Sequence, residues 1–356
     1  MKMKAMNKTT KSNLITYLLV VVIYFAVQAL VMTGGLSSLM QGLLVPLCAY
    51  IILAVSLNLT VGILGELSLG HAGFMCVGAF SSAFFSKCMT DVIPSAGLRF
   101  FFALVIGAVM AGVFGILIGI PVLRLKGDYL AIVTLAFGEI IKNIVNIMFI
   151  GKDANGFHFS TKDAISLGME SDGVIIVNGP QGITGTPKDS TFTIGVILIL
   201  ITLFIVLNLI HSRSGRAIMA IRDNRIAAES VGINVTKYKL MAFSISAALA
   251  GVAGVIYAHN LATLTAQPKN FGYNMSIMIL VFVVLGGIGN IRGSIIAAIV
   301  LTLLPEMLRG LSDYRMLIYA VVLIVMMLYN WSPKAIQWRE KYFSKFKLKK
   351  NVKKEV

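Results

Sequence analysis

The sequence predicts an all-α, polytopic integral membrane protein with about ten transmembrane helices. Of its 356 residues, 57% are hydrophobic and 13% are charged, and the mean hydropathy is +0.87. Soluble globular domains are about 45–50% apolar and about 25% charged, so this chain has too few polar residues to cover a water-exposed surface. The composition therefore excludes a soluble enzyme and a disordered regulator.

Ten apolar stretches are long enough, or nearly long enough, to cross the hydrocarbon core of a bilayer, which is about 30 Å thick. The first resembles the core of a signal peptide, but no small-residue cleavage site follows it, so we expect a retained helix. The third and fifth contain polar residues, and the sequence leaves open whether they cross fully. The stretches are 14–32, 42–62, 67–86, 99–123, 128–150, 192–210, 239–258, 274–289, 293–309 and 314–330.

The distribution of charge predicts that both termini are cytoplasmic. The net charge of +16 comes from 31 Lys and Arg against 15 Asp and Glu, and basic loops are retained on the cytoplasmic side of a membrane. Most of the basic residues fall on one side of a ten-helix arrangement, in the N-terminus 1–13, the loop 211–239 and the tail 331–356. Residues 14–330 between them form the predicted transmembrane domain. The tail borders anionic lipid in this interpretation, and the sequence has no basic nucleic-acid-binding module.

The longest loop on the opposite, external side is 151–191, which has a net negative charge. Its end, residues 178–187, is dense in glycine and proline, which favour turns. The sequence therefore predicts either a shaped surface without its own core or a flexible connector.

Neither the cysteines nor the histidines predict a metal or cofactor site. Cys48, Cys76 and Cys88 lie in or beside apolar stretches, without the spacing of a metal motif or of a disulfide framework. The four histidines are scattered over different loops and helix ends. We therefore expect the cysteines to be small apolar core residues, and we expect no metal in this chain.

The loop 211–239 is predicted to contain a short surface helix. Asp223 or Asn224 can cap its N-terminus, and Gly232 can end it in the left-handed conformation. Ala227 and Ala228 give it a small-residue face that permits close approach of another protein. A connector that rests on the lipid surface is the alternative interpretation.

This segment resembles the coupling loop of ABC importer permeases, whose pattern is E-x-AA-x-x-x-G. Residues 225–232 read RIAAESVG, so Arg225 stands where the pattern has its leading acid, and an ion pair from that position to an ATPase is in doubt. Arg225 is instead spaced to pair with Glu229 within the helix. The resemblance assigns to the coupling loop Gly215, Arg216, Arg222, Asp223, Asn224, Ala227, Ala228, Glu229 and Gly232.

Further segments narrow the resemblance to the branched-chain amino acid permeases of ABC importers, in particular the subunit with the longer N-terminus. Each segment is weak alone, but their order and spacing make the match strong. Together with the coupling loop they extend over roughly residues 42–309. The segments are 58–74, 123–139, 179–187, 242–257 and 283–293.

The resemblance implies a permease subunit of a bacterial or archaeal cell membrane that performs no covalent chemistry. Its implied partners are a second permease subunit, two cytoplasmic ATPases and an extracytoplasmic substrate-binding protein. The sequence contains no G-x-x-x-x-G-K-[ST] motif, so ATP and Mg²⁺ are expected to bind to the partner ATPases. The candidates for the translocation path are Asn58, Ser68, Gly70, His71, Thr134, Glu139, Gly286 and Gly287.

Two groups of these candidates have alternative interpretations. The backbone around Ser68, Gly70 and His71 can present a helix N-terminus to an anionic solute group, or it can serve tight helix packing. Glu139 and Lys142, three residues apart in one apolar stretch, can form a structural ion pair or contribute to the solute path. A lone charge in a bilayer costs about 2.5–3.5 kcal/mol, so both interpretations place the two side chains inside the protein.

Three rival functions remain open at this point. Permeases for urea and short amides share these motifs, so the cargo rests on resemblance. An ion-coupled carrier would need acids deep in several helices, and only Glu139 and Glu66 approach that description. A membrane anchor for an assembly is disfavoured by the glycine-rich, charge-bearing interior segments.

Overall fold

The fold is mainly helical, as the sequence predicts. The structure, a computed structural model, describes residues 8–90, 92–125, 127–154, 156–169, 173–308 and 314–331. Most of the predicted basic termini, 1–13 and 331–356, lies outside these residues. The helices within them are α1 (Lys8–Met32), α2 (Ser38–Asn58), α3 (His71–Cys88), α4 (Ala96–Val122), α5 (Asp128–Ile147), α6 (Phe192–His211), α7 (Arg213–Asp223), α8 (Arg225–Ser230), α9 (Val235–Ala258), α10 (Pro268–Phe271), α11 (Tyr273–Gly286), α12 (Ile291–Met307) and α13 (Arg315–Trp331).

Within the described ranges, seven helical segments are long and apolar enough to cross a membrane, against about ten predicted. The stretches 67–86, 293–309 and 314–330 fold as α3, α12 and α13 but are not among the seven. Helices α12 and α13 have 17 residues each, about 25 Å at 1.5 Å per residue, which is short of the hydrocarbon core. The seven are Asn13–Met32, Ser38–Leu64, Ala96–Val122, Asp128–Ile147, Phe192–His211, Val235–Ala258 and Pro268–Gly286.

The loop 151–191 contains β-strands, so the all-α prediction is wrong for this part of the chain. Ile176, Val177, Ile183 and Leu264 from these strands are buried in the main hydrophobic core. Ile176, Val177 and Ile183 therefore anchor the loop to the core of the helices, which favours the predicted shaped surface without its own core over a flexible connector. Strands β1 (Phe149–Asp153), β2 (Gly156–Ser160) and β3 (Val174–Asn178) form an antiparallel sheet in the order β2-β1-β3, and β4 (Ile183–Thr184) pairs with β5 (Thr263–Leu264).

Helix α9 is the centre of the bundle and packs against α2, α3 and α4. The packing is close because glycines face backbone on the neighbouring helices. A Cβ on Gly78 of α3 would overlap the backbone of Gly251, and a Cβ on Gly254 would overlap the carbonyl oxygen of Met75. Gly251 faces the carbonyl oxygen of Gly107 on α4 in the same way. In lipid, where helix association depends on packing, such contacts hold the helices together.

Helix α1 lies at the edge of the bundle, and most of its large apolar side chains are exposed. Arg292 donates a hydrogen bond of 2.7 Å from Nε to Oγ1 of Thr16. Further along the helix, the hydroxyls of Tyr24 and Thr193 are 3.2 Å apart, and the Tyr24 ring lies 5.6 Å from that of Phe192. These polar contacts and the side chain of Val20, which is buried in the main core, attach α1 to the rest of the chain.

We expect Gly254→Ala to lower the free energy of unfolding by about 1–3 kcal/mol, the usual cost of overpacking a core. The added Cβ would overlap the Met75 carbonyl oxygen and push α3 away from α9. Thermal unfolding of the purified protein in detergent measures the change. Gly112→Ala on α4 is the matched control, because its Cβ would make an ordinary 3.4 Å contact with Ala248. Equal unfolding temperatures for the two variants would contradict the packing argument.

Candidate functional site

Helix α2 continues without a break into a π-helical segment, Leu59–Leu64, which ends at Gly65 with φ of +80°. Such π-helical turns are rare and are frequent at functional sites. Gly62 in this segment faces the turn between α11 and α12, where a Cβ would overlap the backbone of Gly289. The π-helical segment therefore crosses the α11–α12 turn at backbone contact.

Asn58 fixes this crossing with both ends of its side-chain amide. Its Nδ2 donates to the Ser294 hydroxyl at 2.8 Å, and its Oδ1 accepts from the Gly289 N–H at 2.9 Å. Gly287 has φ of +94°, and a Cβ on Gly286 would overlap the backbone of Ser294. Three of the sequence candidates, Asn58, Gly286 and Gly287, therefore lie together. We call this cluster, with Gly62, Gly289 and Ser294, the glycine crossing.

A second group of candidates lies where α3 begins. The His71 Nε2 and the Ser56 hydroxyl share a hydrogen bond of 2.7 Å. The Leu69 N–H donates to Oγ1 of Thr134 at 3.0 Å, and a Cβ on Gly70 would overlap the Thr134 carbonyl oxygen. Protein groups thus occupy the N-terminal side of α3, which favours the packing interpretation.

Ser68 differs from its neighbours, because its buried hydroxyl oxygen has no hydrogen-bond partner among the described residues. The first turn of α3 is held by α11, because the Ala72 N–H donates to the Ser276 hydroxyl at 3.2 Å. Ser56 and Ser276 were not predicted as site residues. The sequence around a serine in an apolar helix does not show whether its hydroxyl bonds to another candidate residue or has no such partner.

Glu139 and Lys142 form the predicted ion pair, which is largely buried. The second carboxylate oxygen of Glu139 accepts a 2.7 Å hydrogen bond from the Tyr273 N–H. Tyr273 is the first residue of α11, where a carboxylate is favourable because helix N-terminal N–H groups lack partners within the helix. Glu139 therefore links α5 to the start of α11, while its ion pair with Lys142 lies within α5.

The loop 211–239 folds as two helices, α7 and α8, and not as one. Asn224 separates them, and its side chain accepts from the Ala227 N–H at 3.1 Å, which caps α8. Gly232 follows α8 with φ of +83°, and Arg225 pairs with Glu229 at 3.1 Å. The predicted cap, ion pair and left-handed glycine are confirmed, with Asn224 rather than Asp223 as the cap.

The exposed side of α8 matches the predicted small-residue face only in part, because Ala227 is exposed but Ala228 is buried. Ala228 is 3% exposed and packs with Ile221 and Val235, whereas Ile226 is 80% exposed. Val231, directly after α8, is 74% exposed. These two exposed side chains are a candidate contact surface for a protein or for lipid. Ile226 and Val231 were not among the predicted coupling residues, although both are branched apolar residues within a charged segment of the sequence.

The remaining coupling candidates hold the helices of this loop in place. A Cβ on Gly215 would overlap the carbonyl oxygens of the last turn of α6, so only glycine permits the tight turn into α7. Arg216 donates to the His211 carbonyl oxygen at 3.3 Å. An ion pair between Lys239 on α9 and Glu66 secures the chain just after the π-helical segment.

The seven apolar helical segments and the buried polar contacts where helices cross define a polytopic membrane protein. Residues 39–328 match the family described as branched-chain amino acid transport system, permease component. The chain therefore belongs to this family and is a multi-pass protein of the cell membrane.

Curated relatives give the same assignment. The chain is 36% identical over 297 residues to the high-affinity branched-chain amino acid transport system permease protein LivM of Escherichia coli K12, covering 81% of this chain and 67% of that one. The LivM protein of Salmonella typhimurium LT2 is 34% identical over 296 residues, with the same coverage. The ribose import permease protein RbsC of Escherichia coli K12 is 36% identical over 126 residues, 33% of this chain and 39% of that one. No solved structure matches the chain.

We expect Glu139→Gln to lower the free energy of unfolding by about 3 kcal/mol, because it leaves the buried Lys142 charge unpaired. The glutamine oxygen can still accept from the Tyr273 N–H, so the change isolates the ion pair. Adding Lys142→Met should restore most of the stability, since no buried charge then remains. Thermal unfolding in detergent measures all three proteins.

Arg225→Ala is the control for this prediction, because it breaks an exposed ion pair and should cost no more than about 1 kcal/mol. A double variant as unstable as Glu139→Gln alone would contradict the proposed cause.

Proposed function

We propose that this chain is the transmembrane permease subunit of an ATP-driven ABC importer for leucine, isoleucine and valine. The observation that carries the proposal is the surface of α8, where Ile226 and Val231 are exposed around a helix with a cap at one end and a left-handed glycine after the other. Family membership supports the transport role. The names of the LivM relatives supply the class of solute.

The proposed topology has about ten membrane helices and cytoplasmic termini. Helix α6 connects the sheet of β1, β2 and β3 to α7, so the sheet and α7 lie at opposite ends of α6. The basic residues of the loop 211–239 support a cytoplasmic position for α7 and α8. The sheet then faces the outside, on the side where solute arrives.

The proposed complex contains this chain, a second permease subunit, two cytoplasmic ATPases and an extracytoplasmic substrate-binding protein. The exposed apolar side chains of α8 fit a groove on an ATPase, because burying them there removes apolar surface from water. The permease chain is non-catalytic in this proposal. ATP and Mg²⁺ are held by the ATPases, since the sequence has no phosphate-binding loop motif.

The proposed mechanism is alternating access. ATP-driven closure of the ATPases displaces α7 and α8, and the membrane helices then shift as rigid bodies. A solute site between the two permease subunits opens first to one side and then to the other. The glycine crossing and the start of α3 are the candidate moving parts in this chain, because small residues there allow helices to slide at close contact.

Uptake into vesicles tests both the energy source and the cargo. The chain is purified from native membrane in mild detergent. The chain and the proteins that co-purify with it are reconstituted into vesicles, and the uptake of labelled leucine, valine or urea is measured. ATP-dependent uptake of leucine and valine is the expected result. Uptake of urea alone would overturn the cargo, and gradient-driven uptake by this chain alone would overturn the ABC assignment.

We expect Ile226→Glu and Val231→Glu each to reduce co-purification of the ATPases at least tenfold, because a buried, unpaired carboxylate is costly at an apolar contact. Size-exclusion chromatography of the purified complex gives the stoichiometry. Ile165→Glu is the matched control, since Ile165 is 90% exposed and lies in the loop 151–191. Undiminished association of both α8 variants would show that the ATPases bind elsewhere.

A further inference from the structure

Arg222, in the last turn of α7, connects the coupling loop to the π-helical segment. Its Nη1 donates to the Gly62 carbonyl oxygen at 3.0 Å, across 160 residues of sequence. Its Nε and Nη2 both donate to Oδ1 of Asp223, at 3.1 Å and 2.9 Å. The guanidinium is thus oriented by its neighbour on α7 while it binds the end of another helix.

The Gly62 carbonyl is well suited to accept this bond. It lies near the end of the π-helical segment, where helical carbonyls lack partners within the helix and a cation is favourable. The chain is also shaped around the arginine, because a Cβ on Gly65 would overlap Cγ of Arg222. Gly65 has φ of +80°, so a glycine serves both the turn and the close approach.

Gly62 is itself a member of the glycine crossing. Its backbone lies against Gly289, and Asn58, immediately before the π-helical segment, bonds both Gly289 and Ser294. A displacement of α7 therefore acts on the segment that holds the α11–α12 turn. Glu66, just after the π-helical segment, forms an ion pair with Lys239 on α9. The C-terminal end of the segment is therefore also restrained by α9.

We propose that Arg222 is the positioning residue through which movement of α7 and α8 reaches the glycine crossing. The inference rests on the proposed function, because the ATPases supply the movement. Arginine suits this role better than lysine, since its planar fork can hold Asp223 and the Gly62 carbonyl at the same time.

The test compares Arg222→Ala and Arg222→Lys with wild type in the reconstituted complex, which contains the second permease subunit, the ATPases and the binding protein. The readouts are uptake of labelled leucine and ATP hydrolysis in the same vesicles. Arg222→Ala should lower the leucine moved per ATP at least tenfold while the complex assembles and hydrolyses ATP. Arg222→Lys should fall between Arg222→Ala and wild type.

Arg213→Ala is the matched control, because Arg213 is an exposed basic residue on the same helix α7 and forms no described contact with the π-helical segment. It should keep the wild-type ratio. An unchanged ratio in Arg222→Ala would overturn the inference. Loss of ATPase association in both Arg222 variants would also overturn it, since Arg222 would then serve docking alone.

Hydrogen exchange on the purified single chain in detergent tests the contact without any partner. Backbone amides of Leu59–Leu64 should exchange at least tenfold faster in Arg222→Ala than in wild type or Arg213→Ala. Equal protection would overturn the inference. Failure of the proposed function gives a different result, because the ATPases then do not co-purify with the wild-type chain.

Discussion

Close contact between helix backbones is the constraint on which this structure depends. Lipid tails are as apolar as the helix surfaces, so burial of apolar area does not by itself bring two membrane helices together. Gly251 and Gly254 let α9 touch α3 and α4, and Gly62 lets the π-helical segment touch the α11–α12 turn. The same feature serves stability in the centre of the bundle and sets the geometry of the candidate site.

Charged residues inside the bundle add specific links to this packing. Glu139 pairs with Lys142 within α5 and accepts from the Tyr273 N–H of α11, and Lys239 ties α9 to Glu66 in the chain after the π-helical segment. An unpaired charge is costly away from water, so these partners hold both carboxylates in defined positions. Both carboxylates thus have structural partners, which weakens the case for a carrier that binds ions through them.

The sequence predicted the fold class and much of α8 for identifiable reasons. Apolar stretches of membrane length are a strong signal, and Asn224, Arg225, Glu229 and Gly232 act within a few residues of one another along the chain. The β-strands were missed because each has at most five residues, and the start of β1 was included in the fifth apolar stretch, 128–150.

Contacts between distant segments were beyond sequence reasoning. Asn58 meets Ser294 across 236 residues, and Arg222 meets Gly62 across 160. The burial of Ala228 and the exposure of Ile226 depend on how α8 lies against α7 and α9, which a single helix pattern does not determine. The sequence could therefore name candidates, and only the fold could show which of them touch.

The loose attachment of α1 makes the chain modular. The family match begins at residue 39, after α1 has ended at Met32. The central helices α2, α3, α4 and α9 pack on one another without α1. The central packing around α9 therefore does not require α1, and the family match covers that packing without it.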